Sequence, residues 1–102
     1  VEELLRMKRP KPGSYHEIEG RILRAVRKSL CISRADIASA RRSRDLTFVR
    51  QAIMYWAARR TSLSYPQIGR RMGGRDHTPV LHGKDRYVEL RAKMGRTLRK
   101  VR

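Results

Sequence analysis

Two adjacent glycines, Gly73-Gly74, sit between two stretches of helical periodicity and forbid one continuous helix through them. Glycine is the natural residue for the left-handed turn that ends a helix. The stretch before the pair carries a strong start signal in Ser64-Tyr65-Pro66-Gln67. Ser64 is the hydroxyl cap, Pro66 falls in the first turn where a missing N–H costs nothing, and Gln67 closes a capping box. With Ile68 and Met72 facing inward, the spacing predicts a short helix over about 65–72. After the pair, Asp76 caps a second helix over about 76–94, and Pro79 is still within its first turn. Val80, Leu81, Tyr87, Val88, Leu90, Met94 and Leu98 run down that helix, which Gly83 and Gly95 weaken, with a break near Gly95. Helix, glycine turn, helix is the pattern of a helix-turn-helix.

The rest of the chain reads as a helical platform for this unit. Residues 1–13 hold a loose turn over 2–7, then Pro10, Pro12 and Gly13, and read as a flexible linker. Ser14-Tyr15-His16-Glu17 is a capping box that starts a helix of about 15–30, with Ile18, Ile22, Leu23, Val26 and Leu30 as its apolar stripe. Arg21, Arg24, Arg27 and Lys28 fall off that stripe and read as a solvated face. Ser33-Arg34-Ala35-Asp36 repeats the cap signal before a short helix over about 34–39. The loop that follows is the densest basic segment, with Arg41, Arg42 and Arg44 interrupted by serine. Asp45 is read as the cap of a helix over about 46–60, the most apolar segment, with Trp56 as a packing anchor. The end of the chain, from Arg91 to Arg102, is basic with no acid. The expected architecture is all-α, a small bundle of about five to six helices, with a linker at 1–13, a helix-turn-helix domain over 14–94 and a basic arm at 95–102.

Charge narrows the function. The 102 residues hold 26 Lys+Arg against 9 Asp+Glu, a formal net charge of +17. Solubility needs a magnitude of only about 2–8 on a small domain. Self-repulsion destabilises a compact state, so a polyanionic partner is the economical explanation. Most of these cations are arginine, whose fork matches phosphates and guanine edges.

Other classes drop out. Cys31 is the only cysteine, so neither an intrachain disulfide nor a zinc site can be built on it, and between Leu30 and Ile32 it reads as a small core residue. No apolar run approaches the roughly 18 residues that span a membrane, and no signal-peptide core is present. Gly83-Lys84 is followed by Asp85 and lacks the leading glycine of a phosphate loop. His77 and His82 are five apart, on different helix faces, and make a poor metal pair. No nucleophile–base pair is readable. A non-enzyme is expected, without cofactor, membrane or small-molecule substrate, cytoplasmic and nucleoid-associated.

In a helix-turn-helix the first residues of the second helix meet base edges. Here they are Arg75, Asp76, His77 and Thr78. The start of the first helix, Ser64 to Pro66, can hold a phosphate on its backbone N–H groups. A loop arginine among Arg41, Arg42 and Arg44 can enter a minor groove.

Three strings carry a resemblance: Arg50-Gln51-Ala52-Ile53-Met54-Tyr55, Ser64-Tyr65-Pro66-Gln67-Ile68-Gly69, and Gly73-Gly74-Arg75-Asp76-His77-Thr78-Pro79-Val80-Leu81-His82. Over about residues 16–90 the chain resembles the C-terminal DNA-binding domain, domain IV, of the bacterial replication initiator family DnaA. The third string is highly specific; the other two support it. The resemblance implies an all-helical domain that reads a short asymmetric box of double-stranded DNA, as a monomer, in replication initiation or its regulation. It places Asp76, His77 and Thr78, with Arg75 and Pro79 beside them, in the major groove. It places Arg42 in the minor groove, with Arg41 and Arg44 near it. Arg50, Gln51, Ser64, Tyr65 and Pro66 would hold phosphates or the groove edge, with His82, Gly83 and Lys84 close to the DNA backbone. The family usually has a second threonine where this chain has Pro79, and often Leu at Tyr65. Nothing here resembles the family's ATPase domain, so ATP hydrolysis and origin melting are not expected of this chain, whether it is a stand-alone relative or an excised domain. Two other readings stand beside this one: a nonspecific nucleoid-type DNA- or RNA-binding protein, and a protein-interaction adaptor.

Overall fold

The computed structural model describes residues 2–93 and 95. The basic arm expected at 95–102 lies outside the described residues apart from Gly95, which turns with φ 75°. Every regular element among the described residues is a helix: α1 (Glu2–Arg6), α2 (Tyr15–Val26), α3 (Arg34–Ala38), α4 (Arg44–Arg60), α5 (Tyr65–Arg71) and α6 (His77–Lys93).

The α4 helix is the spine. It buries residues on nearly every side, including Val49, Ala52, Ile53, Tyr55, Trp56 and Ala57. Such a helix must be wrapped by others, and α6 and α2 pack on it most extensively, with α5 held against α6. Trp56, Tyr55 and Tyr87 are fully buried and form the aromatic centre. The Tyr55 and Trp56 rings meet edge-on at 4.9 Å and 86°, the arrangement that ring quadrupoles favour. The Trp56 Nε1–H donates to Tyr87 Oη at 3.2 Å, and that hydroxyl donates to the Leu4 carbonyl at 2.7 Å. Trp56 is therefore a core anchor, as its spacing suggests. At Gly83, α6 packs directly on α4, where a Cβ would run into the Met54 sulfur. Its reason is packing rather than flexibility.

Start signals are read well. Capping boxes close at Ser14–Glu17, Ser33–Asp36 and Ser64–Gln67. Five other expectations meet a different structure. The cap of α4 is Ser43, whose hydroxyl accepts the Leu46 N–H at 3.1 Å, and Asp45 lies inside the first turn. The α2 helix stops at Val26, where Ser29 and Leu30 both donate backbone N–H groups to the Val26 carbonyl and turn the chain. Cys31 is exposed, because in the extended segment after α2 its neighbours Leu30 and Ile32 turn inward instead. Arg91, grouped by sequence with the basic tail, is 4% exposed and lies against the Trp56 and Tyr87 rings, with Nη1 donating to Tyr87 Oη at 3.2 Å. The segment read as a linker carries α1, and its Leu4 is fully buried in the core.

Candidate nucleic-acid interface

The turn between α5 and α6 is built from glycine geometry. Gly73 and Gly74 have φ 87° and 79°, values that cost an L side chain about 1–2 kcal/mol. Gly74 N–H donates to Arg70 O at 3.2 Å and Arg75 N–H to Gly69 O at 2.8 Å, which closes the end of α5. A Cβ on Gly69 would overlap the Arg75 carbonyl, and one on Gly73 would overlap the Ala38 carbonyl. The turn is thus wedged against α3 as well as α5.

Asp76, His77, Thr78 and Pro79 follow, all exposed at the start of α6. Asp76 Oδ1 accepts the His77 N–H at 2.8 Å and faces His77 Nδ1 at 3.1 Å. It bonds the first helical N–H rather than reaching further into the turn. That backbone bond, with help from the ring, holds the Asp76 carboxyl below its ordinary 3.8. Pro79 occupies the third helical position, where its missing N–H leaves no gap. The tip therefore presents an ionised acceptor, an imidazole and a hydroxyl with its methyl, chemistries that can tell base edges apart.

The basic loop over residues 39–43 runs from the end of α3 to the cap of α4. Arg41, Arg42 and Arg44 are exposed. Arg41 pairs with Asp36 at 3.3 Å, a contact open to water and weak. Between this loop and α6 runs a groove lined by Arg42, Gln51, Arg75, Pro79, His82 and Arg86. Asp85 and Glu89 lie at it too.

Three residues expected to touch DNA are engaged elsewhere. Arg50 is 5% exposed, and its guanidinium donates to the carbonyls of Ile37, Arg41, Asp36 and Ser39 at 3.1, 2.7, 2.9 and 2.8 Å. Burial first, then the nearby Arg75 and Arg41 charges, push its pKa down from 12.5. Arg75 is half-buried and donates to Ile37 O at 3.2 Å, to Ser39 O at 2.9 Å and to Met72 O. Lys84 is 7% exposed, pairs with Asp85 at 2.7 Å and lies over the Tyr65 ring. The sequence signal available for Arg50 was its place between the apolar Phe48-Val49 and Ala52-Ile53 in the middle of α4. Ser64, Pro66 and His82 are exposed and Gln51 and Tyr65 half-buried. Ser64 Oγ already accepts the Gln67 N–H at 3.3 Å.

Among the described residues no group of three or more His, Cys, Asp or Glu could hold a metal ion. No helix among them is long and apolar enough to cross a membrane.

The family described as "Bacterial dnaA protein helix-turn-helix" matches residues 20–86. The chain is 40% identical over 93 residues to the chromosomal replication initiator protein DnaA of Rhodopseudomonas palustris (strain BisB18), covering 91% of this chain and 19% of that protein. It is 43% identical over 82 residues to the DnaA of Bradyrhizobium sp. (strain BTAi1 / ATCC BAA-1182), covering 80% of this chain and 16% of the relative. To the DnaA of Rippkaea orientalis (strain PCC 8801 / RF-1) it is 43% identical over 72 residues, covering 71% and 16%. The chain thus spans less than a fifth of the length of these relatives. No solved structure gives a significant match. The exposed tip of α6, the glycine turn behind it and the matched residues agree, and the chain belongs to the family of bacterial DnaA helix-turn-helix domains.

Proposed function

We propose that this domain binds double-stranded DNA sequence-specifically, in replication initiation or its regulation. The start of α6 enters the major groove, where Asp76, His77 and Thr78 read base edges and Pro79 borders them. The loop over residues 39–43 reaches the adjacent minor groove through Arg42. Arg41, Arg44, Gln51, His82 and the Ser64–Pro66 end of α5 follow the phosphate backbone. DNA is the only macromolecular partner this reading requires, and the domain acts on it as a monomer.

The observation that carries the reading is the pairing of two exposed elements across one groove. The first turns of α6 line one side through Pro79, His82 and Arg86, directly after the exposed Asp76, His77 and Thr78, and Arg42 of the basic loop lines the other. The +17 charge supplies the sequence-independent attraction. Arg50, Arg75 and Lys84 leave the list of direct contacts, because their cationic groups are held within the protein.

The test is competition between an initiator-type box and a scrambled duplex at physiological salt, for the wild-type chain and for His77→Ala. A good base contact carries about 1–3 kcal/mol of discrimination. His77→Ala should therefore lower box preference by roughly five- to 150-fold while leaving binding to the scrambled duplex unchanged. Equal loss on both duplexes removes His77 from base reading. No box preference in the wild type returns the protein to the nonspecific alternative.

A further inference from the structure

We infer that Arg50 and Arg75 form a two-guanidinium clamp that sets the offset between the basic loop and the reading helix, as positioning residues for specificity rather than DNA ligands. The inference rests on the DNA-binding reading above and deepens it.

The two forks converge on the same short stretch of backbone. Arg50 takes the carbonyls of Asp36, Ile37, Ser39 and Arg41, and Arg75 takes those of Ile37 and Ser39. Ile37 and Ser39 thus each accept from both side chains. Carbonyls at a helix C-terminus carry partial negative charge, so a cation suits this stretch, although Asp36 O also accepts the Ser39 N–H and hydroxyl. Arg50 comes from the buried spine α4, and Arg75 from the turn that opens α6. One stretch of carbonyls is therefore pinned to the core and to the recognition element together. Arg75 also donates to Met72 O, which ties the clamp to the end of α5. Gly73 lies close on the same side, where an added Cβ would overlap the Ala38 carbonyl.

Only arginine can do this. Its planar fork offers five donors in fixed directions, and Arg50 spreads Nε, Nη1 and Nη2 over four carbonyls. A lysine ammonium is a point donor and reaches fewer. A buried side chain with this many internal bonds is not free for a phosphate. Its effect on DNA passes through Arg41, whose carbonyl it holds, to the next residue, Arg42. A minor-groove arginine and a major-groove helix can both engage one duplex only if their separation matches the DNA, and misplacement of one loses its contacts selectively.

The experiment measures preference base pair by base pair across the box, the slope of log affinity against log salt, and the folded fraction by circular dichroism, for wild type, Arg50→Lys, Arg75→Lys and Gly73→Ala. Gly73→Ala displaces the same junction without changing charge. The expected result is a loss of about tenfold or more, confined to the base pairs under the basic loop, in all three variants. The salt slope should stay at the wild-type value. A salt slope shallower by about 0.9 with the preference profile intact would make Arg50 or Arg75 a phosphate ligand and overturn the clamp. A uniform loss that disappears once corrected for folded fraction would reduce it to a stability element and overturn it equally. If Arg50→Lys does not fold, Arg75→Lys and Gly73→Ala decide by the same criteria. Failure of the wild type to prefer the box is a separate outcome that removes the DNA-reading proposal itself.

Discussion

Gly73 and Gly74 share a backbone conformation but differ in surroundings, which separates conformational strain from crowding. A Cβ at Gly74 meets open space, whereas at Gly73 it meets the Ala38 backbone. Gly74→Ala should therefore cost only the left-handed penalty, about 1–2 kcal/mol. Gly73→Ala should cost clearly more, since the junction with α3 must also open. Denaturant unfolding of the two variants checks the order; equal losses would contradict the packing of the turn on α3. At this scale the sequence was only partly legible. The exposure of Asp76, His77 and Thr78 could be anticipated because a local pattern, a helix start after a glycine turn, decides their direction. The directions of Arg50, Arg75, Lys84, Arg91 and Cys31 are decided by partners far along the chain. Spacing alone treats a buried arginine and a phosphate ligand alike.

Elements were legible where a local signal exists. Ser14, Ser33 and Ser64 each announced a helix through side-chain chemistry within four residues. The α1 helix was legible only as a loose turn over 2–7, because at five residues it is too short to hold itself. It is held by burial of Leu4 and by the Tyr87 hydroxyl on the Leu4 carbonyl. Tyr87→Phe removes that donor and the acceptor of Trp56 Nε1, leaving buried polar groups unpaired, at about 1–3 kcal/mol. The variant should melt at lower temperature and be cleaved faster by protease within residues 1–13.

The helix starts also set a pH dependence. Bonds from the Ser14 and Ser33 backbone N–H groups hold Glu17 below 4.5 and Asp36 below 3.8, and the His77 N–H does the same for Asp76. A carboxyl whose pKa is depressed on folding gives stability that is present above its unfolded value and lost as pH falls through its folded value. Stability should therefore be level above about pH 5 and decline below pH 4.5, a range that a thermal-melt series covers. Glu17→Gln should shrink that decline; a decline of unchanged size would remove the capping carboxylate as its cause.

For the molecule as a whole, the proposed reading makes affinity, carried by +17 on 102 residues, separable from specificity, carried by the exposed start of α6 and the basic loop. Phosphate neutralisation supplies affinity that falls steeply with salt, with a slope of about −0.9 per phosphate contacted. In the proposed reading, contacts of the α6 tip with base edges supply a preference that depends on salt far less. The all-helical class and the helix-turn-helix were readable from caps and the glycine pair, whereas the convergence of Arg50 and Arg75 on the Ile37 and Ser39 carbonyls required the folded chain. The most direct measurement is selection of bound sequences from random duplex at physiological salt. The account predicts one recovered motif, a short asymmetric box of the initiator type, with any departure from it at the base pair facing Pro79. Recovery of no motif, with all duplexes retained alike, would contradict it.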